Sequence, residues 1–410
     1  MAKTRATPLA ESGVRINGGL LVVLALLGAL APFATDLYLP AFPRMTDELS
    51  ASPTAVQLTL TSFLIGTALG QLIFGPASDR WGRFWPLVSG AVVCVAASAF
   101  AATAGTIEIL VVARFAQGLG GAAGMVIGRA IITDLARGAS AARAFSLLVI
   151  VGGAAPTLAP LIGGLLADPI GWRGILWVIF GLAALMLISI VLVVRETHGS
   201  EFRSASFLPA GGSGLLSRTF VGNTLVFALS FGVLMAYISA SPFVYQVMMG
   251  LTPPGYGLLF GINSIGLIAA SAVSARLVER VGPAAILRIG MASLVLSTLA
   301  LLLFVLAGLP AWSFAFPLFT SVASLGLVLG NATGIALSSI PRARGAGSAI
   351  LGAGQFALAA AASPLVNLAG EASAIPLAIV MLALAAAAAG ALALSRNGRE
   401  RSEATGQVQS

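Results

Sequence analysis

Residues 219–275 contain no charged side chain at all, and residues 289–341 repeat the pattern. A bilayer core about 30 Å thick is crossed by roughly 20 apolar residues in helical form, so each stretch holds two crossings. Thr252-Pro253-Pro254-Gly255 supplies a turn in the first. Gly308-Leu309-Pro310 does so in the second, where the leading helix begins near residue 283. The same reading finds spans at 16–35 (ending at Asp36), 49–78, 84–107, 109–131, 144–167, 174–194, 345–370 and 372–395, which brings the number to twelve. The fold class is therefore an all-α membrane protein. Charged residues are only 9% of the chain against about 25% in a soluble domain. That excludes a cytosolic enzyme or a secreted globule.

The net charge of +8 invites a nucleic-acid reading, but its distribution opposes one. Arg80, Arg83, Arg129, Arg137, Arg143, Arg195, Arg203, Arg218, Arg276, Arg280, Arg288, Arg342, Arg344 and both tails collect on one side, while the other side holds only Arg44 and Arg173, and Arg114 is within a span. Such an excess marks the cytoplasmic side. The expectation is a multi-pass protein of the cytoplasmic (inner) membrane with both termini inside, in contact with lipid and not with nucleic acid. Residues 3–31 imitate a signal peptide, but cleavage there would cut the first span and leave eleven helices. Cys94 lies in an apolar run and cannot form an internal disulfide. His198 is in a polar loop, with no second His to complete a metal site. No metal, no cofactor and no enzymatic acid–His or Cys–His pair is expected.

The expected organisation is a tail over 1–15, six helices over 16–194, a loop over 195–217, six helices over 218–395 and a tail over 396–410. Asp79-Arg80-Trp81-Gly82 returns 200 residues later as Glu279-Arg280-Val281-Gly282. A parallel repeat of two six-helix halves is the architecture described for major facilitator transporters.

Four motifs make that resemblance specific. Gly75-Pro76-Ala77-Ser78-Asp79-Arg80-Trp81-Gly82-Arg83 resembles the loop signature of the major facilitator superfamily between its second and third helices. Arg114-Phe115-Ala116-Gln117-Gly118 resembles the R-x-x-Q-G motif of its proton-driven members. Gly153-Ala154-Ala155-Pro156-Thr157-Leu158-Ala159-Pro160-Leu161-Ile162-Gly163-Gly164 is similar to the antiporter motif. Asp36-Leu37-Tyr38-Leu39-Pro40-Ala41-Phe42-Pro43 resembles the bicyclomycin and chloramphenicol resistance branch of the twelve-helix drug:proton antiporters. Ala68 to Ile73 and Pro242 to Tyr245 are similar to the same branch.

Asp36 is the one acid inside an apolar span. A carboxylate there costs about 2.5–3.5 kcal/mol on insertion scales and is functional by default. Low dielectric favours its neutral form, as a proton carrier requires. The alternative is an Asp that orders the turn before Pro40. Arg114 cannot shed its proton and must meet a carbonyl, a carboxylate or water. It is either a strut to the first helix or a sensor of the charge on Asp36, and the resemblance implies the second. The resemblance also implies that Gly75, Asp79, Gly82, Arg83 and Asp134 gate the two halves, with Arg342 or Arg344 as a partner. Pro156 and Pro160 remove backbone donors and bend the fifth helix. With Gly153, Gly163 and Gly164 they make a packing segment, or, by resemblance, a seal against proton leak. Candidate cavity residues are Tyr38, Gln57, Phe63, Phe231, Tyr237, Asn263, Asn331 and Gln355, any of which could serve packing instead. Gly118-Leu119-Gly120-Gly121-Ala122-Ala123 fits a dinucleotide fingerprint only by letters, since no strand precedes it. Gly120, Gly124 and Gly128 instead permit close helix packing.

The expected function is export of a small, neutral, hydrophobic drug in exchange for protons by a monomer. Proton-linked export of a sugar or metabolite and a non-transporting sensor are the alternatives.

Overall fold

The computed structural model describes residues 18–135, 139–196, 215–340, 344–367, 370 and 372–407. Most of the central loop, the N-terminal tail, His198 and Arg342 lie outside the described residues. Among the described residues the regular structure is helical, and ten stretches are long and apolar enough to cross a membrane. One of these belongs to a 55-residue helix, Ala139–Val193. At 1.5 Å per residue it would be about 80 Å long, far beyond a bilayer. It breaks at Gly171, whose φ of 65° and ψ of 178° are not helical. Two arms and the shorter apolar helix Ile350–Val366 complete the expected twelve.

We number the spanning helices α1 (Gly18–Asp36), α2 (Pro53–Trp81), α3 (Phe84–Ala102) and α4 (Ile107–Leu135). The arms 139–170 and 172–193 are α5 and α6. Then follow α7 (Arg218–Pro242), α8 (Pro253–Val281), α9 (Pro283–Leu306), α10 (Ala315–Ser338), α11 (Arg344–Ala362) and α12 (Ile375–Gln407). The backbone stays helical through Pro156 and Pro160; the break falls at Gly171. Thr252-Pro253-Pro254-Gly255 is not the turn it suggested. Thr252 is the N-cap, its Oγ1 accepting from Gly255 N, and the prolines open α8. Proline fits a first helical turn because its missing N–H would be unpaired there anyway. The chain turns just before, at Gly250 (φ 72°). Helix α12 runs on past residue 395 to Gln407, through good helix formers such as Glu400, Arg401 and Ala404.

The repeat is deeper than four residues. Helices α2 and α8 start at Pro53 and Pro253 behind capping Ser52 and Thr252, and both are 29 residues long. They end at Gly82 (φ 90°) and Gly282 (φ 82°), the left-handed region that favours glycine.

Packing within each half is close. A Cβ on Gly66 or Gly118 would overlap the backbone of Phe115 or Phe63, so α2 and α4 touch main chain to main chain. Gly120 lies against Gly90 and Cys94 of α3, and Gly124 and Gly128 against Leu27 of α1. The halves meet along two seams, α5 with α8 and α2 with α11. At the end carrying Pro53 and Pro253, one buried core runs through both halves, including Tyr38, Phe42, Phe63, Tyr237, Phe243 and Tyr256. Toward the Gly82/Gly282 end the core divides. Leu24, Phe74, Ile127 and Ile190 form one cluster in the first half, and Phe220, Ala336, Ile340 and Leu351 another in the second.

Candidate functional site

Helix α1 ends at Asp36, which is 4% exposed. Among the described residues no ion pair reaches it, and the hydrogen bonds of Arg114 go elsewhere. Arg114, fully buried on α4, donates through Nη2 to Ala34 O (2.7 Å), two residues before the end of α1. Its Nη1 donates to Gln117 Oε1, and its Nε has no partner. The guanidinium lies between two rings, 4.4 Å from the centroid of Tyr38 and 4.6 Å from that of Phe63. Stacking suits a planar, weakly hydrated cation.

Gln117, the fourth residue of the R-x-x-Q-G motif, extends the network. Its Nε2 donates to Ser98 Oγ (2.6 Å), which donates to Cys94 O (2.7 Å). The Tyr38 hydroxyl is 3.0 Å from Thr59 Oγ1. Arg114, Tyr38 and Phe63 therefore come together at the end of α1 that carries Asp36; Gln117, Ser98 and Thr59 join them without having been singled out in the sequence. Gln117 carried a signal in its motif, while Ser98 and Thr59 carried none.

The second half brings a separate polar cluster. Asn263 Nδ2 donates to the hydroxyls of Tyr237 (2.8 Å) and Tyr245 (2.7 Å), and its Oδ1 is buried without a partner. Tyr256 OH is 3.2 Å from Ser241 Oγ. Tyr237 stacks on Phe260 at 5.5 Å. Tyr237, Tyr245 and Tyr256 share one buried core with Ala34, Leu37 and Tyr38, so this cluster borders the end of α1 across the halves. The remaining cavity candidates divide. Gln57 Nε2 donates across the halves to Ser239 O (3.0 Å). Phe231 joins Phe227 and Phe356 in an aromatic row. Asn331 Nδ2 donates to Ser274 Oγ (2.8 Å), tying α10 to α8. Gln355 is half-buried on α11.

The α5 glycines are contact points. A Cβ on Gly163 would overlap Leu37 O, just past α1, and one on Gly164 would overlap Pro253 O of α8. From the other side, a Cβ on Gly257 would lie 2.6 Å from Pro160 O. Gln246 Nε2 donates to Pro40 O (2.9 Å), and the Phe42 and Phe243 rings lie 6.2 Å apart. Gln246 sits in a π-helical turn, Phe243–Met248, a form enriched at functional sites.

At the Gly82 end, Arg83 pairs with Asp79 and with Asp134 Oδ2 (2.9 Å), and donates to Ser78 Oγ (2.8 Å). Burial works against its charge, but the two carboxylates outweigh it and hold the guanidinium above the usual arginine range. Glu196, just after α6, accepts from Arg83 N (2.8 Å) and Phe84 N (3.3 Å). A carboxylate at the start of α3 complements the helix dipole. These described partners all belong to the first half; Gly75 packs beside Val126 of α4.

A sequence profile of the Major Facilitator Superfamily matches residues 24–364. An uncharacterised MFS-type transporter of Bacillus subtilis, YdgK, is 35% identical over 365 residues, 88% of this chain and 90% of that one. A bicyclomycin resistance protein homolog of Haemophilus influenzae is 30% identical over 370 residues, 88% of this chain and 92% of its own. Multidrug resistance protein MdtL of Shigella dysenteriae is 29% identical over 237 residues, 57% of this chain and 60% of its own. A crystal structure of a D-xylose–proton symporter superposes with a TM-score of 0.72 over 90% of this chain and 96% of its own, at 17% identity. At that identity the likeness shows the fold alone. The chain belongs to the major facilitator superfamily of membrane transporters.

Proposed function

We propose that this transporter exports small, apolar, uncharged antibiotics of the bicyclomycin or chloramphenicol kind in exchange for protons. The observation that carries the reading is the pairing of one buried acid without an ion-pair partner, Asp36, with a buried guanidinium fastened two residues before it. The relatives named for bicyclomycin and multidrug resistance support the drug class.

In this reading the Pro53/Pro253 end is extracellular and both termini are cytoplasmic, as the Arg distribution favours. The continuous core and the Gln57 and Gln246 hydrogen bonds close the outer side. The divided core leaves the inner side open for drug. Protonation of Asp36 removes the one negative charge near Arg114, and drug competes for the deprotonated form. Sites that exclude each other's ligands exchange them, because a ligand shifts an equilibrium only by its differential affinity. The Arg83 cluster holds the cytoplasmic turns as the halves rock. The α5–α8 glycine seam seals the outer side against proton leak. One proton moving through about 100 mV supplies about 2.3 kcal/mol, enough for roughly a 50-fold drug gradient.

Energised inverted vesicles test the reading. Chloramphenicol should accumulate, and a protonophore should abolish the accumulation. Uptake that survives collapse of the proton gradient would refute proton coupling.

A further inference from the structure

Three residues of α4 share one helical face: Arg114, Met125 and Arg129, at steps of eleven and four. The flanks of α4 are taken by neighbours in its own half. Gly124 and Gly128 lie on Leu27 of α1, Gly118 on Phe63 of α2, Leu119 and Ala122 at Gly70 of α2, and Gly120 on α3. Arg114, bonded to Ala34 of α1 and stacked on Phe63 of α2, marks the gap between those flanks. Tyr38 and Phe63, which flank Arg114 there, belong to the core shared with the second half, and Met125 packs against it, so the gap is on the side of the other half. Arg129 is on this face, about 22 Å from Arg114 at 1.5 Å per residue, level with the divided core. Its side chain is exposed, and it has no hydrogen bond or ion pair with any described residue.

Counting residues toward the basic edge places Arg129 with the topology-setting cations; the helix face places it in the translocation path. The charge balance of that path changes accordingly. Residues 219–275, 289–341 and 345–370 bring no charge from the second half. In the first half, Asp134 is engaged by Arg83, and Glu108 is exposed at the far end of α4. Among the described residues of the path, Asp36 alone opposes Arg114 and Arg129. The path carries a surplus positive charge even when Asp36 is ionised, and a larger one when it is protonated.

We infer that Arg129 is an anion-recruiting position at the inner mouth, and that the transporter accepts apolar drugs carrying one carboxylate or similar anionic group in preference to their neutral parents. The inference rests on the export reading and extends its substrate class beyond uncharged drugs to their singly anionic derivatives. Arg is suited to this role because its planar fork meets a carboxylate through two parallel hydrogen bonds. An apolar drug body can then pass along Met125 toward Arg114. A cation meets two guanidiniums and one carboxylate, and is disfavoured.

Chloramphenicol and its hemisuccinate ester differ by one carboxylate on the same scaffold. Equilibrium dialysis of both against the purified full chain in nanodiscs should show tighter binding of the hemisuccinate. The ratio of the two affinities should fall about tenfold in Arg129→Gln, equivalent to about 1.4 kcal/mol. Arg129→Lys should keep most of the ratio, and 0.5 M salt should erode it in the unaltered protein, because charges in water-filled mouths are screened. A ratio unchanged by Arg129→Gln and by salt, or no binding of either compound, would overturn the inference. Should Arg129→Gln not fold, the Lys variant and the salt series still decide. Vesicle uptake separates the two layers. Proton-driven transport without the affinity ratio sinks the anion preference and leaves the export reading standing. The ratio without proton-driven uptake does the reverse.

Discussion

Gly163 and Gly164 are adjacent in sequence and face different partners, which makes them a matched pair for testing how the halves move. A Cβ on Gly163 meets Leu37 O within the first half, and a Cβ on Gly164 meets Pro253 O across the halves. Both obstacles are backbone, so neither can rotate away. Overpacking of this kind costs about 1–3 kcal/mol. In Gly163→Ala the cost falls on every state that keeps the first half intact, so the protein melts earlier and the balance of facing states is unchanged. In Gly164→Ala it falls only on the state closed at the Pro53/Pro253 end. One to three kcal/mol corresponds to a shift of roughly 5- to 150-fold toward the state open there. The assay is a spin-label distance between cysteines placed at exposed Thr103 and Leu309, in the loops before α4 and α10. Native Cys94 is 2% exposed and does not take label. Gly164→Ala should populate the longer distance, and Gly163→Ala should not. Equal distance distributions for the two variants would refute the seam as the closing contact.

Three further outcomes follow from named contacts. Asp79 is 66% exposed and Asp134 20% exposed where they pair with Arg83. Asp79→Ala should therefore lose at most about 1 kcal/mol of stability and Asp134→Ala more, and Asp79→Ala should slow turnover with little change in drug affinity; thermal melts and vesicle kinetics check both. Gly82→Ala must bear a left-handed backbone of about 1–2 kcal/mol and also displace the Glu196 carboxylate, while Gly282→Ala meets open space and bears the backbone cost alone; melting curves should rank them in that order. Expression in an efflux-deficient host should protect against chloramphenicol and not against ethidium; protection against ethidium alone would contradict the positive bias of the path.

Much of this was legible because membrane solvation leaves coarse marks. Charge-free runs gave the spans, and the echo at 79–82 and 279–282 pointed to a repeat whose caps, lengths and terminal glycines agree. Asp36 and Arg114 stood out because ionisable groups in apolar runs are rare. What escaped depends on tertiary placement. Gln57–Ser239 and Gln246–Pro40 join residues 182 and 206 positions apart, and neither partner's backbone carbonyl leaves any mark in sequence. Thr252 before two prolines reads equally as a turn or a helix start, and the capping hydroxyl decides for the helix. Arg129 escaped because a cation six residues before a helix end resembles an edge marker until the helix's neighbours are known. Glu196 escaped because its partners are main-chain N–H groups.

The central claim is that Asp36 exchanges a proton for drug. It is tested most directly in liposomes holding the purified protein and a pH-sensitive dye, with no imposed proton gradient. An inward chloramphenicol gradient should drive protons out of the lumen through the unaltered protein. Asp36→Asn, inserted and folded, should move none, because among the described residues no second acid lies inside a span beside Arg114. Drug-driven proton movement at an undiminished rate in Asp36→Asn would contradict the account.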